Sequence, residues 1–300
     1  MQAATFFRLV SILILLALVV ACGQTPDRPS RPPGDRADIA RAESLMATQQ
    51  YLAAAEIFRQ LAARTAPGQQ RAAYLLDAAE ASRAGSDWDG IRSALAQLAT
   101  MQLSDDQALQ RRLLQAEVLL QEMRPIEALD KLGAEPGEST GTELRIRFYR
   151  DLASVYRQMG NLLETANALQ AVDALQTEPQ QRLETQTEIL RTLALLNEQA
   201  LENLQPSPPG VSGGWMQLAL LVKQHDAGPE ELEPQLADWR QRFPQHPALP
   251  ELLANYQLQL QSQLQYVSRI AVLLPQSGVF ANVAAAIRDG IVISRFGQTK

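Results

Sequence analysis

Cys22 is the single cysteine among 300 residues, and it is the side chain best suited to covalent chemistry. A thiolate can attack an activated carbon and carry the group it gains as a thioether or thioester. A lone thiol cannot close an intramolecular disulfide and cannot build a cysteine metal cluster. A second arrangement, Gly210-Val211-Ser212-Gly213-Gly214, has the G-x-S-x-G spacing that in hydrolases places a serine on a strand-to-helix elbow. Here Pro206, Pro208 and Pro209 precede it, where the elbow needs a strand. A base for that serine would have to be His225 or His246, the only two histidines, each in helix-end or proline-rich surroundings. These features argue against serine hydrolysis, and two histidines with one cysteine argue against a transition-metal site. No catalytic residue, metal ligand or cofactor is expected. Asp105-Asp106 and Glu230-Glu231 read as solvated charges near helix starts, where negative charge suits the helix dipole.

The elements around Cys22 say what its thiol is for. Arg8 precedes an apolar run over 9–20, and Val19-Val20-Ala21 leads directly into Cys22. A charged start, a short apolar centre and a small residue before the cut are the layout of a secretory signal. Twelve residues rise only about 18 Å as a helix, against a hydrocarbon core of about 30 Å. The run is therefore too short for a stable membrane span. Val19, Val20, Ala21 and Cys22 resemble the bacterial lipobox, in which the cysteine receives a diacylglyceryl group and becomes the first mature residue. That resemblance makes 1–21 the signal peptide and Cys22 the lipid attachment site. It also implies outer-membrane sorting, because Gly23 stands where inner-membrane lipoproteins usually carry Asp, and Asp27 comes too late.

Composition narrows the partners. The formal charge is −6, and the 27 Lys and Arg residues are scattered, so no basic face for nucleic acid is expected. Leu, Ala and Gln abound and aromatic residues are few, which favours helices. Residues 22–38 hold Pro26, Pro29, Pro32 and Pro33 among alternating charges and show no apolar face, so they read as an extended tether.

From Ile39 the sequence repeats. Ala42, Ala79, Ala116 and Ala153 stand 37 residues apart, as do Tyr51, Trp88, Pro125 and Leu162, and Phe58, Leu95, Leu132 and Leu169. Short turn signals precede the second set: Gln49-Gln50, Gly85-Ser86-Asp87, Met123-Arg124 and Gly160-Asn161. With apolar residues recurring at three and four, this is the pattern of a helix, a tight turn and an antiparallel partner helix. The unit resembles the tetratricopeptide repeat. The expected fold class is therefore all-α over 39–265, a tetratricopeptide-like helical-hairpin solenoid. The repeat fades after Gln176. One helix is expected over 183–204, a break at 205–210, then helices from Trp215, over 230–243 and over 249–265.

The last segment, 268–300, changes character. Arg269-Ile270-Ala271-Val272-Leu273-Leu274-Pro275 suits a buried parallel strand, Gln276-Ser277-Gly278 a turn, and 280–293 a helix. Together these would be the first strand and helix of an incomplete α/β domain.

Five features in order carry a closer resemblance. They are the lipobox, the helical repeat, Gly213-Gly214-Trp215, the run Trp239-Arg240-Gln241-Arg242-Phe243-Pro244-Gln245-His246-Pro247, and the run from Arg269 to Gly278. Ala285-Ala286-Ile287-Arg288-Asp289-Gly290 continues it. The chain resembles the amino-terminal half of the LppC lipoprotein family. The resemblance implies a tetratricopeptide-like domain followed by an α/β domain like that of type I periplasmic binding proteins. It also implies an outer-membrane lipoprotein, not an enzyme, that binds and stimulates a bifunctional class A penicillin-binding protein. Contact with the synthase is expected from the part beyond Lys300, so the sequence reads as a truncation, a frameshifted copy or a fragment. Two other readings stay open: a solute-binding receptor, and a helical scaffold for envelope assembly with peptidoglycan as a further partner.

Overall fold

The computed structural model of the chain describes residues 33–224, 229–265 and 272–296, and these form helices joined by turns and irregular segments. The chain divides into two compact units, one ending at Gln224 and one starting at His225.

The first unit opens with four helical hairpins: α1 (Pro33–Ala47) with α2 (Tyr51–Arg64), α3 (Gln69–Ala84) with α4 (Trp88–Leu98), α5 (Asp105–Gln121) with α6 (Pro125–Leu132), and α7 (Thr142–Gln158) with α8 (Leu162–Leu175). Each second helix starts on the residue the repeat singles out: Tyr51, Trp88, Pro125 or Leu162. The turns share one geometry. Gln49, Ser86, Met123 and Gly160, again 37 apart, have positive φ of 60°, 56°, 59° and 74°. The N–H of the next residue donates five positions back, from Gln50, Asp87, Arg124 and Asn161 to the carbonyls of Leu45, Ser82, Leu119 and Tyr156. This is the Schellman closure, which satisfies carbonyls that the helix end would leave open. Only Gly160 takes the left-handed position without a Cβ penalty. Asp87 and Asn161 then cap the following helices, accepting from the N–H of Gly90 at 2.9 Å and of Glu164 at 3.3 Å.

The repeated alanines are buried, Ala42, Ala79 and Ala116 at 0% exposure and Ala153 at 2%. Phe58, Leu95, Leu132 and Leu169, sixteen positions later, are buried too. A methyl group lets helix axes approach, and the large residue fills the facing gap. One apolar cluster spans the first two hairpins and takes in Leu114 and Val118 of α5. A second joins α5, α6 and α7 around Leu113, Leu132 and Phe148.

Ser104 closes α5 with a capping box. Its hydroxyl accepts from the Gln107 N–H, and Gln107 accepts from the Ser104 N–H. Ser104→Ala should cost about 1 kcal/mol in chemical denaturation, whereas a cost indistinguishable from zero would mean the box contributes nothing.

Past the repeat, α9 (Pro179–Ala194) packs on α8 and on α11 (Gly210–Gln224), with the short α10 (Glu198–Asn203) between. A polar lock joins α8 to α9. The buried Asp173 carboxylate accepts from Arg182 Nε at 3.1 Å and Gln186 Nε2 at 3.0 Å, and Thr185 donates to Gln176 at 2.8 Å. In the second unit, α12 (Pro229–Arg242), α13 (Leu252–Gln265) and α14 (Ala281–Phe296) carry the buried Leu232, Leu236, Trp239, Leu252, Tyr256 and Ala284.

The structure corrects three expectations. The tether does not reach residue 38. Helix α1 begins at Pro33, because proline at the first helical position gives up an N–H the helix does not use. Asp35 within it is buried and accepts from the Tyr74 hydroxyl at 3.0 Å. The helix expected over 183–204 is two, because the Asn197 side chain accepts from the Ala200 N–H at 2.7 Å and starts α10. The strand expected over 269–275 is not formed at Val272–Pro275, which are irregular, while 269–271 lie outside the described residues. A parallel strand needs neighbours to take its N–H and C=O groups, and the described residues contain no strand to pair with. The turn at Gln276–Gly278 and the helix after it are present. The signal peptide, Val19, Val20, Ala21, Cys22, Gly23 and the tether as far as residue 32 lie outside the described residues.

Candidate functional site

Charged side chains of three helices, α3, α5 and α7, meet in one cluster in the first unit. Glu80 and Arg83 come from α3, Glu117 from α5, and Arg147 and Asp151 from α7. Arg147 sits between two carboxylates. Its Nη1 bonds Glu80, while its Nε and Nη2 reach Glu117 Oε1 at 3.1 and 2.9 Å. Arg83 bonds Glu80 at 2.8 Å and lies 3.7 Å from Glu117. Asp151 is 9% exposed, and its Oδ2 is buried without a hydrogen-bond partner. Burial pushes the Asp151 carboxyl up to about 8, and Glu117 adds to the shift while Arg147 and Arg83 oppose it. The cluster ties successive hairpins together across their first helices.

This site escaped the sequence reading. One signal was available, because Glu43, Glu80 and Glu117 recur at the same 37-residue interval, each just after a repeated alanine. Arg147 and Asp151 fall outside the repeat, since Gln110 and Leu114 stand 37 residues before them.

The turn edge of the hairpins offers a different chemistry. Leu52, Met123, Ile126 and Met159 are exposed there, Met123 and Ile126 at 73% and 72%. Around them Arg92 reaches Glu122 at 3.0 Å, and Arg124 bonds Glu122 and Glu127 at 2.8 and 2.5 Å. Apolar side chains rimmed by charges suit contact with a protein better than chemistry on a small molecule. At the opposite connections, a cleft of about 590 Å³ with mixed polar and apolar lining is bounded by Pro67, Gln69, Arg71, Gln97, Thr100 and Met101.

Among the described residues, the side chains that the sequence offers for catalysis do not come together. Ser212 lies in the first turn of α11 and donates to Gln170 at 3.0 Å and Asn167 at 3.4 Å, amide side chains that cannot act as its base. Gly213 after it serves packing, since a Cβ there would meet Pro209 Cβ at 2.5 Å. In the second unit His246 stacks edge-on against Trp239 at 4.8 Å and accepts the Ala248 N–H at 3.2 Å. His225 lies outside the described residues. Asp105 and Asp106 are exposed in the first turn of α5, and Glu230 and Glu231 lie in the first turn of α12. Among the described residues no group of acidic, histidine or cysteine side chains could hold a metal ion. No helix among them is long and apolar enough to cross a membrane.

Residues 48–300 match the protein family described as "LppC putative lipoprotein". The chain belongs to the LppC family. Similar proteins include the penicillin-binding protein activators LpoA of Aliivibrio fischeri, 25% identical over 289 residues, and of Glaesserella parasuis, 28% identical over 203. The first match covers 95% of this chain and 45% of the relative, the second 66% and 34%. This LppC chain thus spans less than half the length of these relatives. Full-length LpoA of Haemophilus influenzae has a similar structure, with TM-score 0.54, 22% identity, and coverage of 82% of this chain and 45% of that one. The amino-terminal domain of E. coli LpoA matches with TM-score 0.55 and 17% identity over 72% of this chain and 92% of that domain. At these identities the likeness establishes the helical fold of the LppC amino-terminal domain.

Proposed function

We propose that this LppC chain belongs to a lipid-anchored activator of a bifunctional class A penicillin-binding protein, and that its hairpins are the membrane-proximal arm of that activator. The observation carrying this reading is the family match over 48–300, joined to relatives named penicillin-binding protein activators. The surface chemistry supports it, with exposed apolar side chains among ion pairs at the turn edge of the hairpins. Cys22, preceded by Val19, Val20 and Ala21, is the attachment point for lipid, and Gly23 directs the protein to the outer membrane. The four hairpins stack as a tetratricopeptide-like solenoid, which the 37-residue recurrence of alanine, turn and large apolar residue supports. Residues 268–300 begin an α/β domain whose strands pair once the rest of that domain is present. Synthase contact belongs to that domain, and glycan strands are a further partner for the solenoid. The protein acts by contact and is not itself an enzyme.

Binding tests this directly. A class A synthase on a sensor surface should retain a form extended by the carboxy-terminal half that the relatives carry. It should retain the 300-residue segment at least ten-fold more weakly, because an unpaired strand must be ordered at the moment of contact. Equal retention of the two forms would move the contact to the hairpins. Retention of neither would overturn the reading.

A further inference from the structure

The charges between α3, α5 and α7 do not balance. Glu80, Glu117 and Asp151 bring three carboxylates, and Arg83 and Arg147 bring two guanidinium groups. Hydrogen bonds and ion pairs satisfy Glu80, Glu117, Arg83 and Arg147, while Asp151 Oδ2 is left buried and without a partner. A carboxylate in that position costs its hydration and returns no bond. One added proton brings the cluster to neutrality and turns the Asp151 carboxyl into a potential donor beside a carboxylate-rich site.

We propose that this cluster is a proton-operated clamp, in which uptake of one proton at Asp151 tightens the packing of the second, third and fourth hairpins and its release loosens them. The groups acting on Asp151 are Glu117 from α5, Glu80 and Arg83 from α3, and Arg147 one turn earlier on α7. Helices α6 and α8 also pack on α7, and there Glu127 is engaged by Arg124 and Asp173 by Arg182 and Gln186. Glu80 and Arg83 reach the cluster from a hairpin more than sixty residues upstream, so the clamp links elements distant in sequence. The folded chain keeps a proton that the unfolded chain has already released, so stability falls as pH rises. The window runs from the ordinary aspartate value of 3.8 to about 8.

Thermal unfolding of the full chain in mild detergent, with and without Asp151→Asn, provides the test. Between about pH 6 and about pH 8.5 the midpoint of the unsubstituted chain should fall by about 4 °C more than that of the variant. At the higher pH the variant should be the more stable of the two. Carbon-13 titration of the Asp151 carboxyl in the unsubstituted chain gives a second readout that needs no variant to fold. Its midpoint should lie above about 6, and Glu117→Gln should lower it. Amide exchange corrected for pH should show α7 losing protection before α1. Parallel pH responses of the two chains, or an Asp151 midpoint near about 4, would overturn the clamp.

Discussion

Arg147→Met should destabilise the first unit by about 3 kcal/mol, the largest loss expected from one substitution in the charged cluster. Methionine keeps an unbranched apolar stem but removes the three donors that hold Glu80 and Glu117. Arg83 would remain the one guanidinium group of the cluster against three carboxylates, one of them already without a hydrogen bond at Oδ2. The estimate sits at the low end for breaking a buried pair, because Arg147 and Glu80 keep 19% and 27% side-chain exposure. Urea denaturation followed by circular dichroism measures it. A loss under about 1 kcal/mol would show that solvent already screens the network.

Cys22→Ala should abolish membrane attachment altogether. Each buried CH₂ of an acyl chain is worth about 0.8 kcal/mol, so several chains on one residue make anchoring essentially permanent, and no other cysteine can take them. Cells fed a radiolabelled fatty acid should label the unsubstituted protein in the membrane fraction. The variant should carry no label and should leave that fraction. Label retained on the variant would remove the lipobox assignment and the anchored arm with it.

The hairpins were legible because a repeat states the same packing problem several times. Ala42, Ala79, Ala116 and Ala153 are all buried, and Tyr51, Trp88, Pro125 and Leu162 all start helices. The turn between them was readable even where Gln49, Ser86 and Met123 stand in place of glycine, because position outweighed composition. Pro33 was misleading because proline serves an extended tether and a helix start equally well. Leu195–Asn197 broke an expected helix through a local side-chain bond that apolar spacing does not register. The strand reading at 269–275 rested on β-branched and apolar content, whereas strand formation depends on partners elsewhere. The charged cluster was hidden for another reason. Polar residues are usually solvated, and nothing local to Arg147 or Asp151 reveals that α3 and α5 enclose them.

Glycan synthesis by a purified class A penicillin-binding protein tests the central claim most directly. Polymerisation and cross-linking would be followed with labelled lipid-linked precursor, alone, with the 300-residue segment, and with the form extended by the relatives' carboxy-terminal half. The extended form should raise both rates several-fold, and the segment alone should leave them near the unassisted level. Rates unchanged by the extended form would contradict the activator assignment, and equal stimulation by the segment alone would place the activity in the helical hairpins.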